Sequence, residues 1–391
     1  MNTRNYHFCV DGYEANQENR VGSNVFAFEI LWGLAELTAK EPNARVTVVL
    51  PRPALPSLPK PSERWQYQVV TPTQFWTQWA LPLHIFRHRK QYSAFFTPSH
   101  YAPRFCAVPY ISSVMDTAYL EFPDLFKRSD LTKLVRWTAY SVKHATRVIG
   151  ISNFTKQSII KHYKKPRNAV AVVYPAALLS ENIADPSTLK ELGIQDSFFL
   201  FVGTIQPRKN IERLVEAYEL YCRLFNNLPI TVQKRKKVSM AQLVLAGKTG
   251  WLSAPIMNCI SRSPEQQNII TTGFIDDTVK ARLYRNARAT LLVGLHEGFG
   301  LPPLESMGYG TIPIVSNTSS LPEVVGEAGF QVDPYSPQEI AQAMLDAQLL
   351  TPRRRALYRR KGKEQFSMFN WNRSAEKVWQ LMKEVAQQHD D

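Results

Sequence analysis

The sequence lacks any apolar run near the roughly 18 residues that a membrane-spanning helix needs, so it predicts no such helix. It also contains few cysteines, which are scattered without the spacing of a metal site: Cys9, Cys106, Cys222 and Cys259. The first residues, 1–17, indicate a short strand and a loop, and they are too polar for the apolar core of a secretory signal. These features predict free thiols in a reducing compartment and a cytoplasmic protein.

Internal repeats and low-complexity segments are also absent. Hydrophobic residues (44%) and charged residues (20%) occur in the proportions of a globular protein, which excludes a disordered or fibrous chain. A length of 391 residues favours two or three domains.

Acidic residues are scarce in the first half of the chain. Residues 1–178 contain 22 Lys and Arg against 11 Asp and Glu, a net charge of +11, whereas residues 179–391 contain 25 and 22, a net charge of +3. This excess favours a phosphate-bearing partner, whether a nucleotide, a nucleic acid or an anionic membrane. Two dense basic clusters, 234–237 and 353–363, lack the regular interleaving of aromatic side chains that stacks bases, so they are interpreted as solvated surface and no nucleic acid is expected.

Short apolar strands alternate with helical patterns along the whole chain. In the first half the predicted strands are 45–50, 94–98, 109–116, 146–152 and 169–175, and in the second half 198–204, 242–247, 268–273, 289–294 and 311–316. Continuous β-branched runs between helices are typical of parallel sheets that are covered on both faces. The sequence therefore predicts two doubly wound α/β domains, 1–178 and 179–370. The remaining segment, 371–391, begins with an amphipathic helix that has Ala375, Val378, Trp379 and Met382 on one face.

The segment 297–305, Glu-Gly-Phe-Gly-Leu-Pro-Pro-Leu-Glu, follows a predicted strand and leads into a helix that we expect to begin near Pro302 or Pro303. Gly298 and Gly300 allow backbone amides to approach a ligand, and a helix N-terminus favours an anion such as a diphosphate. Glu305 is expected in the first helical turn, where it can accept hydrogen bonds from ribose hydroxyls. Glu297 lies before the turn, within reach of a sugar. The alternative is a Gly/Pro loop in which both glutamates are merely solvated.

Two adjacent cations, Arg208 and Lys209, also follow a predicted strand and precede a helix. Ligands bind at this edge of open α/β sheets, where the two cations can neutralise the charge that develops on a leaving phosphate. Surface charge is the alternative interpretation.

The segments GTIQPRKN, TGFIDD, EGFGLPPLE and SSLPEVVGEAG, in this order over residues 198–345, resemble family 4 retaining glycosyltransferases of the GT-B fold, the mannosyltransferase-like glycosyl transferases group 1. The first half resembles the family more loosely, through a glycine loop at Arg20–Gly22 and the segment at 108–126. The resemblance implies two Rossmann-like domains that face a cleft, with acceptor contacts mainly in the first and nucleotide-sugar contacts mainly in the second. It also implies that the final helix crosses back onto the first domain.

The resemblance also implies roles for individual residues. Glu297, Arg208, Lys209 and Asp116 would be the catalytic set. The donor would be bound by Gly22, Thr204, Arg208, Lys209, Phe274, Glu297, Gly298, Phe299, Gly300, Leu301 and Glu305. Arg208 and Lys209 would hold the diphosphate, Glu297 the sugar hydroxyls, Glu305 the ribose and the backbone near Phe274 the base. No metal and no cofactor beyond the nucleotide diphosphate sugar would be needed.

One position departs from the family pattern, because Met115 stands before Asp116 where the family commonly has His. A methionine neither donates nor accepts such hydrogen bonds well. Asp116 itself is a candidate polar contact or a structural turn residue. His84, His88 and His100 are interpreted as ordinary core or surface histidines.

The segment 75–90 mixes aromatic side chains with a basic end, Arg87, Arg89 and Lys90. The favoured interpretation is a core helix, which Pro82 interrupts. The alternative is peripheral contact with an anionic membrane, where a lipid-linked acceptor would reside.

The sequence thus predicts a cytoplasmic, metal-independent, retaining hexosyltransferase. It would move a hexose, with mannose from GDP-mannose favoured over a UDP-sugar, to a saccharide or lipid-linked saccharide in polysaccharide or glycan biosynthesis. The family resemblance implies a front-face attack, in which the proton of the acceptor would pass to the leaving phosphate. The alternatives are a UDP-sugar-dependent transferase, an epimerase or phosphorylase of the same fold, and a catalytically weak nucleotide-sugar-binding protein.

Overall fold

The computed structural model describes residues 4–20, 22–236 and 238–388. A few residues of the predicted segments lie outside the described residues. They are the ends of the first and last segments, residue 21 of the glycine loop and residue 237 of a basic cluster. The chain forms two compact units. The first comprises the described residues up to Pro175 together with the segment from Asn370, and the second comprises Ala176–Phe369. The predicted boundary at 178/179 is three residues from the one that the structure shows.

The first unit is built on a seven-stranded parallel sheet in the order β3-β2-β1-β4-β5-β6-β7. Its strands are β1 (Tyr6–Asp11), β2 (Ala44–Leu50), β3 (Trp65–Val69), β4 (Ala94–Thr97), β5 (Tyr110–Val114), β6 (Arg147–Gly150) and β7 (Val170–Val172). Its helices are α1 (Ser23–Lys40), α2 (Leu81–Arg87), α3 (Ala118–Glu121), α4 (Arg128–His144), α5 (Asn153–Tyr163) and, from the end of the chain, α15 (Trp371–Gln387).

The second unit is built on a six-stranded parallel sheet in the order β10-β9-β8-β11-β12-β13. Its strands are β8 (Phe198–Val202), β9 (Gln242–Ala246), β10 (Ile269–Gly273), β11 (Ala289–Leu292), β12 (Pro313–Ser316) and β13 (Phe330–Val332). Its helices are α6 (Ser187–Glu191), α7 (Ile211–Asn226), α8 (Ile230–Lys236), α9 (Ala254–Arg262), α10 (Asp277–Asn286), α11 (Leu301–Gly308), α12 (Leu321–Val325), α13 (Pro337–Leu349) and α14 (Pro352–Ser367).

The predicted fold class is confirmed, since both units are doubly wound parallel sheets. All ten apolar runs form strands, most of them a few residues shorter than predicted. The prediction did not include β3 and β13, which lie at sheet edges. Their side chains are only partly buried, so they lack the continuous apolar run of a central strand.

Helix α15 packs on the first unit, as the resemblance implies. A Cβ atom on Gly33 of α1 would lie 2.3 Å from the Ala375 Cβ of α15, so only glycine permits this approach. The Trp379 ring packs edge-on against Phe8 of β1, with centroids 5.2 Å apart, and its Nε1 donates to the Glu41 carboxylate. The predicted apolar face of α15 is therefore buried against the start of the chain.

Candidate functional site

The loops after β8 and β11 meet at the centre of the second sheet. These strands are neighbours in the sheet but not consecutive in the chain, so the connections from their carboxyl ends diverge and leave a crevice. A short 3-10 turn, Pro207–Lys209, follows β8, and the glycine-rich segment 297–300 follows β11. The two sequence motifs that we interpreted as ligand-binding therefore lie together.

Arg208, Lys209 and Glu297 form an ion-pair cluster in this crevice. Arg208 Nη1 lies 3.0 Å from Glu297 Oε2, and Lys209 Nζ lies 2.6 Å from Glu297 Oε1. Arg208 Nη1 also donates to the His296 carbonyl at 2.6 Å. The three side chains are mostly buried, between 8% and 16% exposed, so their charges interact with little screening by water. The Glu297 carboxylate therefore contacts two cations at once.

Asn210 fixes the backbone that carries the two cations. It adopts a left-handed conformation with φ of +59°, and its Nδ2 donates to the carbonyls of Val293 and Pro334. The Leu295 amide donates to the Arg208 carbonyl at 3.1 Å. Because these bonds join the loop after β8 to the loop after β11, the positions of Arg208 and Lys209 are tied to that of Glu297.

The glycine-rich segment is held by two serines of the motif SSLPE. Ser320 Oγ donates to the carbonyls of Glu297 and Phe299, and Ser319 Oγ accepts from the Glu297 amide. The Phe299 ring is buried and packs edge-on against Phe369. Sequence analysis quoted these serines within the family resemblance but gave them no role.

Gly300 precedes α11 with φ of +114°, which a residue with a side chain rarely adopts. Helix α11 begins at Leu301, so Glu305 is its fifth residue and lies in the second turn. The expectation that Glu305 lies in the first turn is therefore wrong. The reason is that Gly300 ends the loop, so the helix begins at Leu301, one residue before the first of the two prolines.

Glu305 is buried beside two side chains that sequence analysis missed. Its Oε1 lies 3.2 Å from Lys280 Nζ, and its Oε2 accepts from the Tyr284 hydroxyl at 2.8 Å. Burial raises the pKa of the Glu305 carboxyl, and the charge of Lys280 offsets part of this effect. The spacing of Lys280 and Tyr284, four residues apart on α10, was the available signal.

The other predicted donor residues of the second unit lie at the same sheet edge. Thr204 follows β8, and its methyl group lies 2.6 Å from where a Cβ on Gly250 would be. Phe274 follows β10 and is 78% exposed. Leu301 is the first residue of α11.

Gly22 and Asp116 belong to the first unit. Gly22 precedes α1 with φ of +52°, and a Cβ there would meet no atom of the described chain within 4 Å, so its backbone conformation and not crowding favours glycine. The Asp116 carboxylate accepts from the Ala118 amide at 2.5 Å near the start of α3, which gives it a turn role.

His100 lies beside Met115, the position that departs from the family pattern. Its Nε2 accepts from the Met115 amide at 3.3 Å, and burial lowers the pKa of its imidazole to about 4, so the ring is neutral at neutral pH. The interpretation of His100 as an ordinary histidine missed this position next to Met115 and Asp116. By contrast, His84 is buried against Tyr92, and His88 donates to the His84 carbonyl.

A cavity of about 430 Å³, here called the aromatic pocket, opens at the carboxyl ends of β1 and β4, where the first sheet has its own crevice. Its wall combines aromatic rings with carboxylates and one ammonium group, among them Tyr13, Phe75, Trp76, Tyr101, Trp137, Asp11, Glu14 and Lys133. Sequence analysis singled out none of these for a ligand, because they come from four separate segments.

Asp11 and Lys133 are two of the three charged groups that line the aromatic pocket. Asp11 accepts from the Tyr13 amide, Trp76 Nε1 and the Thr97 hydroxyl, and its burial raises the pKa to about 6. Lys133 Nζ lies 4.8 Å from the centre of the Trp137 ring, within the range of a cation–π contact. The wall thus offers flat apolar faces beside hydrogen-bonding groups.

Residues 188–365 match the family model of the glycosyl transferases group 1. The second unit is a glycosyl transferases group 1 domain. The chain is 28% identical to O-antigen chain mannosyltransferase B of Escherichia coli over 67% of this chain and 66% of that protein. It is 30% identical to the serotype-specific mannosyltransferase WbdA of Escherichia coli over 58% of this chain and 26% of that protein.

The likeness to solved structures extends beyond this domain to both units. HepE of Anabaena, crystallised with UDP and glucose, superposes with a TM-score of 0.69 over 97% of this chain and 100% of that chain, at 15% identity. The likeness shows a shared fold. The chain spans about two thirds of the first relative and about a quarter of the second.

Within the described residues, no group of three or more His, Cys, Asp or Glu side chains is placed to hold a metal ion. None of the described helices is both long enough and apolar enough to cross a membrane.

Proposed function

We propose that the protein is a retaining hexosyltransferase that moves mannose from GDP-mannose to a saccharide or lipid-linked saccharide in glycan biosynthesis. The observation that carries this proposal is the Arg208–Glu297–Lys209 cluster at the crevice of a glycosyl transferases group 1 domain. Its two cations suit a diphosphate, and the mannosyltransferase relatives favour mannose.

Arg208 and Lys209 would hold the diphosphate and stabilise the charge that develops on it as the sugar leaves. Fixed charges in a mostly buried crevice interact strongly and need no reorganisation during the reaction. Two side-chain cations and the amides before α11 together supply the positive charge that a metal ion would otherwise contribute. On this basis the proposed transfer is metal-independent.

Glu297 would orient the donor sugar and not attack it. Both of its carboxylate oxygens already accept hydrogen bonds from cations, which lowers their nucleophilicity. Retention of configuration is then proposed to follow from a front-face attack, in which the acceptor hydroxyl gives its proton to the leaving phosphate. Catalysis would consist of positioning and charge stabilisation.

The remaining donor contacts complete the proposal. The backbone near Phe274 would line the base pocket, Glu305 with Lys280 would bind the ribose, and Gly22 would leave room for phosphate at the start of α1. The structure of HepE with UDP and glucose makes a UDP-sugar the second candidate donor.

Calorimetric titration of GDP and UDP without metal tests the donor assignment. We expect GDP to bind in the micromolar range and Lys209→Ala to weaken it by about tenfold or more, ~1.4 kcal/mol. Lys190→Ala, on the exposed end of α6, is the matched control and should bind like the wild type. Tighter binding of UDP would favour the second candidate, and no binding of either nucleotide would refute the donor site.

The aromatic pocket is the proposed site of the acceptor saccharide. Sugars present apolar ring faces and many hydroxyls, which match its aromatic faces and carboxylates. A volume of about 430 Å³ lies within the range of small-molecule sites. We expect Trp137→Ala to raise the acceptor KM by about tenfold while the donor KM stays unchanged. Equal changes in both constants would contradict this assignment.

A catalytically weak nucleotide-sugar-binding protein remains the alternative at Met115. Binding of GDP-mannose without turnover on a broad acceptor panel would favour the alternative. A cytoplasmic location is proposed with the donor, and the four free thiols are consistent with it.

A further inference from the structure

The first unit has a surface of exposed aromatic and aliphatic side chains beside an apolar groove. A five-residue π-helix, Trp76–Ala80, runs into α2, and its inner face is buried, as the core interpretation predicts. The opposite face is exposed, although large apolar residues are normally covered. Its members are Val69 (42% exposed), Phe75 (67%), Trp79 (72%), Leu83 (47%), Phe86 (52%) and, from a neighbouring loop, Phe105 (83%).

The groove on this face has a volume of about 650 Å³. Its walls come from the end of β3 and the following residues 68–72, from Trp79, Leu83 and Phe86, and from Phe105. Phe75 and Phe105 both have φ of +57°, a conformation that bulky side chains rarely adopt. The backbone thus holds two phenyl rings in water at a conformational cost.

Cations lie beside the face in two segments, and the stretch of sequence that forms the face contains no acidic residue. Arg87, Arg89 and Lys90 are exposed at the end of α2, and Arg104 is half-buried next to Phe105. No Asp or Glu occurs between residues 64 and 115. Exposed aromatic residues bordered by cations match the interface of an anionic bilayer, where rings enter the headgroup region and cations pair with phosphates.

We infer that this face, comprising Val69, Phe75, Trp79, Leu83, Phe86 and Phe105 with the basic border, docks the protein on an anionic phospholipid bilayer. Trp79 and Phe105 enter the headgroup region, and the groove receives hydrocarbon. The occupant is a membrane and not a second protein, because the segment 64–115, which supplies the face and its basic border, contains cations and no acidic residue. A self-complementary contact would bring the same cations together.

The π-helix also connects this face to the aromatic pocket. Trp76 lies in the wall of the pocket and Trp79 in the wall of the groove, only three residues away. A molecule with a saccharide head and a lipid tail can therefore place its head in the pocket while its tail stays in the bilayer. This consequence, a lipid-linked acceptor, rests on the proposed function, whereas the docking itself does not.

Flotation with vesicles tests the inference on the full chain. We expect binding to phosphatidylcholine vesicles that contain phosphatidylglycerol and at least about tenfold weaker binding to phosphatidylcholine alone. Trp79→Ser and the pair Arg87→Glu with Arg89→Glu should each weaken binding to the anionic vesicles by about tenfold or more. Ile230→Ser and Lys234→Glu, exposed on α8 of the other unit, are the matched controls and should bind like the wild type.

A second measurement places Trp79 in the bilayer. Bromine-labelled lipid should quench the tryptophan fluorescence of the wild type more than that of Trp79→Phe. Equal weak binding to both kinds of vesicle, or equal losses in the α8 controls, would overturn the inference. So would concentration-dependent dimerisation that Trp79→Ser abolishes, since the face would then bind a second copy. GDP titration of the same variants distinguishes a failure of the docking inference from a failure of the proposed function. Variants of the docking face should bind GDP as tightly as the wild type does.

Discussion

At the scale of single residues, the feature that most favours a binding crevice is the position of Arg208, Lys209 and Glu297. The two cations contact one carboxylate, and all three side chains are mostly buried at the carboxyl ends of β8 and β11. Ligands bind at this edge of open α/β sheets, and side-chain cations there suit a diphosphate.

Glu297→Gln separates the sugar-orienting role from phosphate binding. Removing the negative charge makes the crevice more positive for the diphosphate, so GDP should bind as tightly as in the wild type or more tightly. Turnover should fall by about 100-fold, because the oriented contact to the sugar is lost. Calorimetry and initial rates measure the two quantities. Glu364→Gln, an exposed glutamate of α14, is the control. Weaker GDP binding in Glu297→Gln would contradict the assigned role.

At the scale of elements, the loop between β11 and α11 shows how a local conformation shapes the crevice. Gly300 has φ of +114°, and a Cβ there would lie 2.7 Å from Leu321 Cδ2. The glycine therefore serves both the turn and the close packing of α12 against it. Ser319 and Ser320, at the start of that helix, hold the backbone of the same loop.

Gly300→Ala is expected to lower the free energy of unfolding by about 1–3 kcal/mol, from backbone strain and the contact with Leu321. It should also weaken GDP binding, since the loop shifts. Gly310→Ala is the matched control, because Gly310 also has a positive φ, +78°, but a Cβ there meets no described atom within 4 Å. Urea titration and calorimetry give the two readouts. If both variants weaken GDP binding equally, the loop geometry does not shape the site.

At the scale of the whole molecule, buried titratable groups couple stability to pH with opposite signs. Burial raises the pKa of Asp11 to about 6, and it lowers the pKa of His84 and His100 to about 4. The histidines therefore favour the folded state at higher pH, and Asp11 favours it at lower pH. Comparing the stability of a variant with that of the wild type isolates the contribution of one titratable group.

Asp11→Asn tests the Asp11 contribution. Because its folded pKa exceeds the unfolded value of 3.8, the stability that Asp11 contributes is present below about pH 4 and is lost as the pH rises through about 6. Relative to the wild type, the variant should gain up to about 3 kcal/mol between these limits, since each unit of pKa is ~1.4 kcal/mol. Urea denaturation across this range measures it, with the exposed Asp124→Asn as control. A constant difference between variant and wild type would argue against a buried, titrating Asp11.

The sequence by itself determined the two parallel sheets, because buried strands need continuous apolar runs, and it located the crevice motifs, because Arg208, Lys209 and Glu297 lie directly after such strands. It also predicted the apolar face of α15, which depends only on helical periodicity. These features are local, and each one is complete within a short stretch of chain.

Only the tertiary structure determined the features that form where distant segments of the chain meet. The aromatic pocket joins residues from the ends of β1 and β4, the π-helix and α4, and no short motif encodes such a set. The position of His100 against Met115, and of Lys280 and Tyr284 against Glu305, likewise follows from packing. For the segment 75–90, both the core and the surface interpretation fitted the composition. Only the packed structure shows that one face is buried and the other exposed, because periodicity identifies opposite faces of a helix but not what covers each of them.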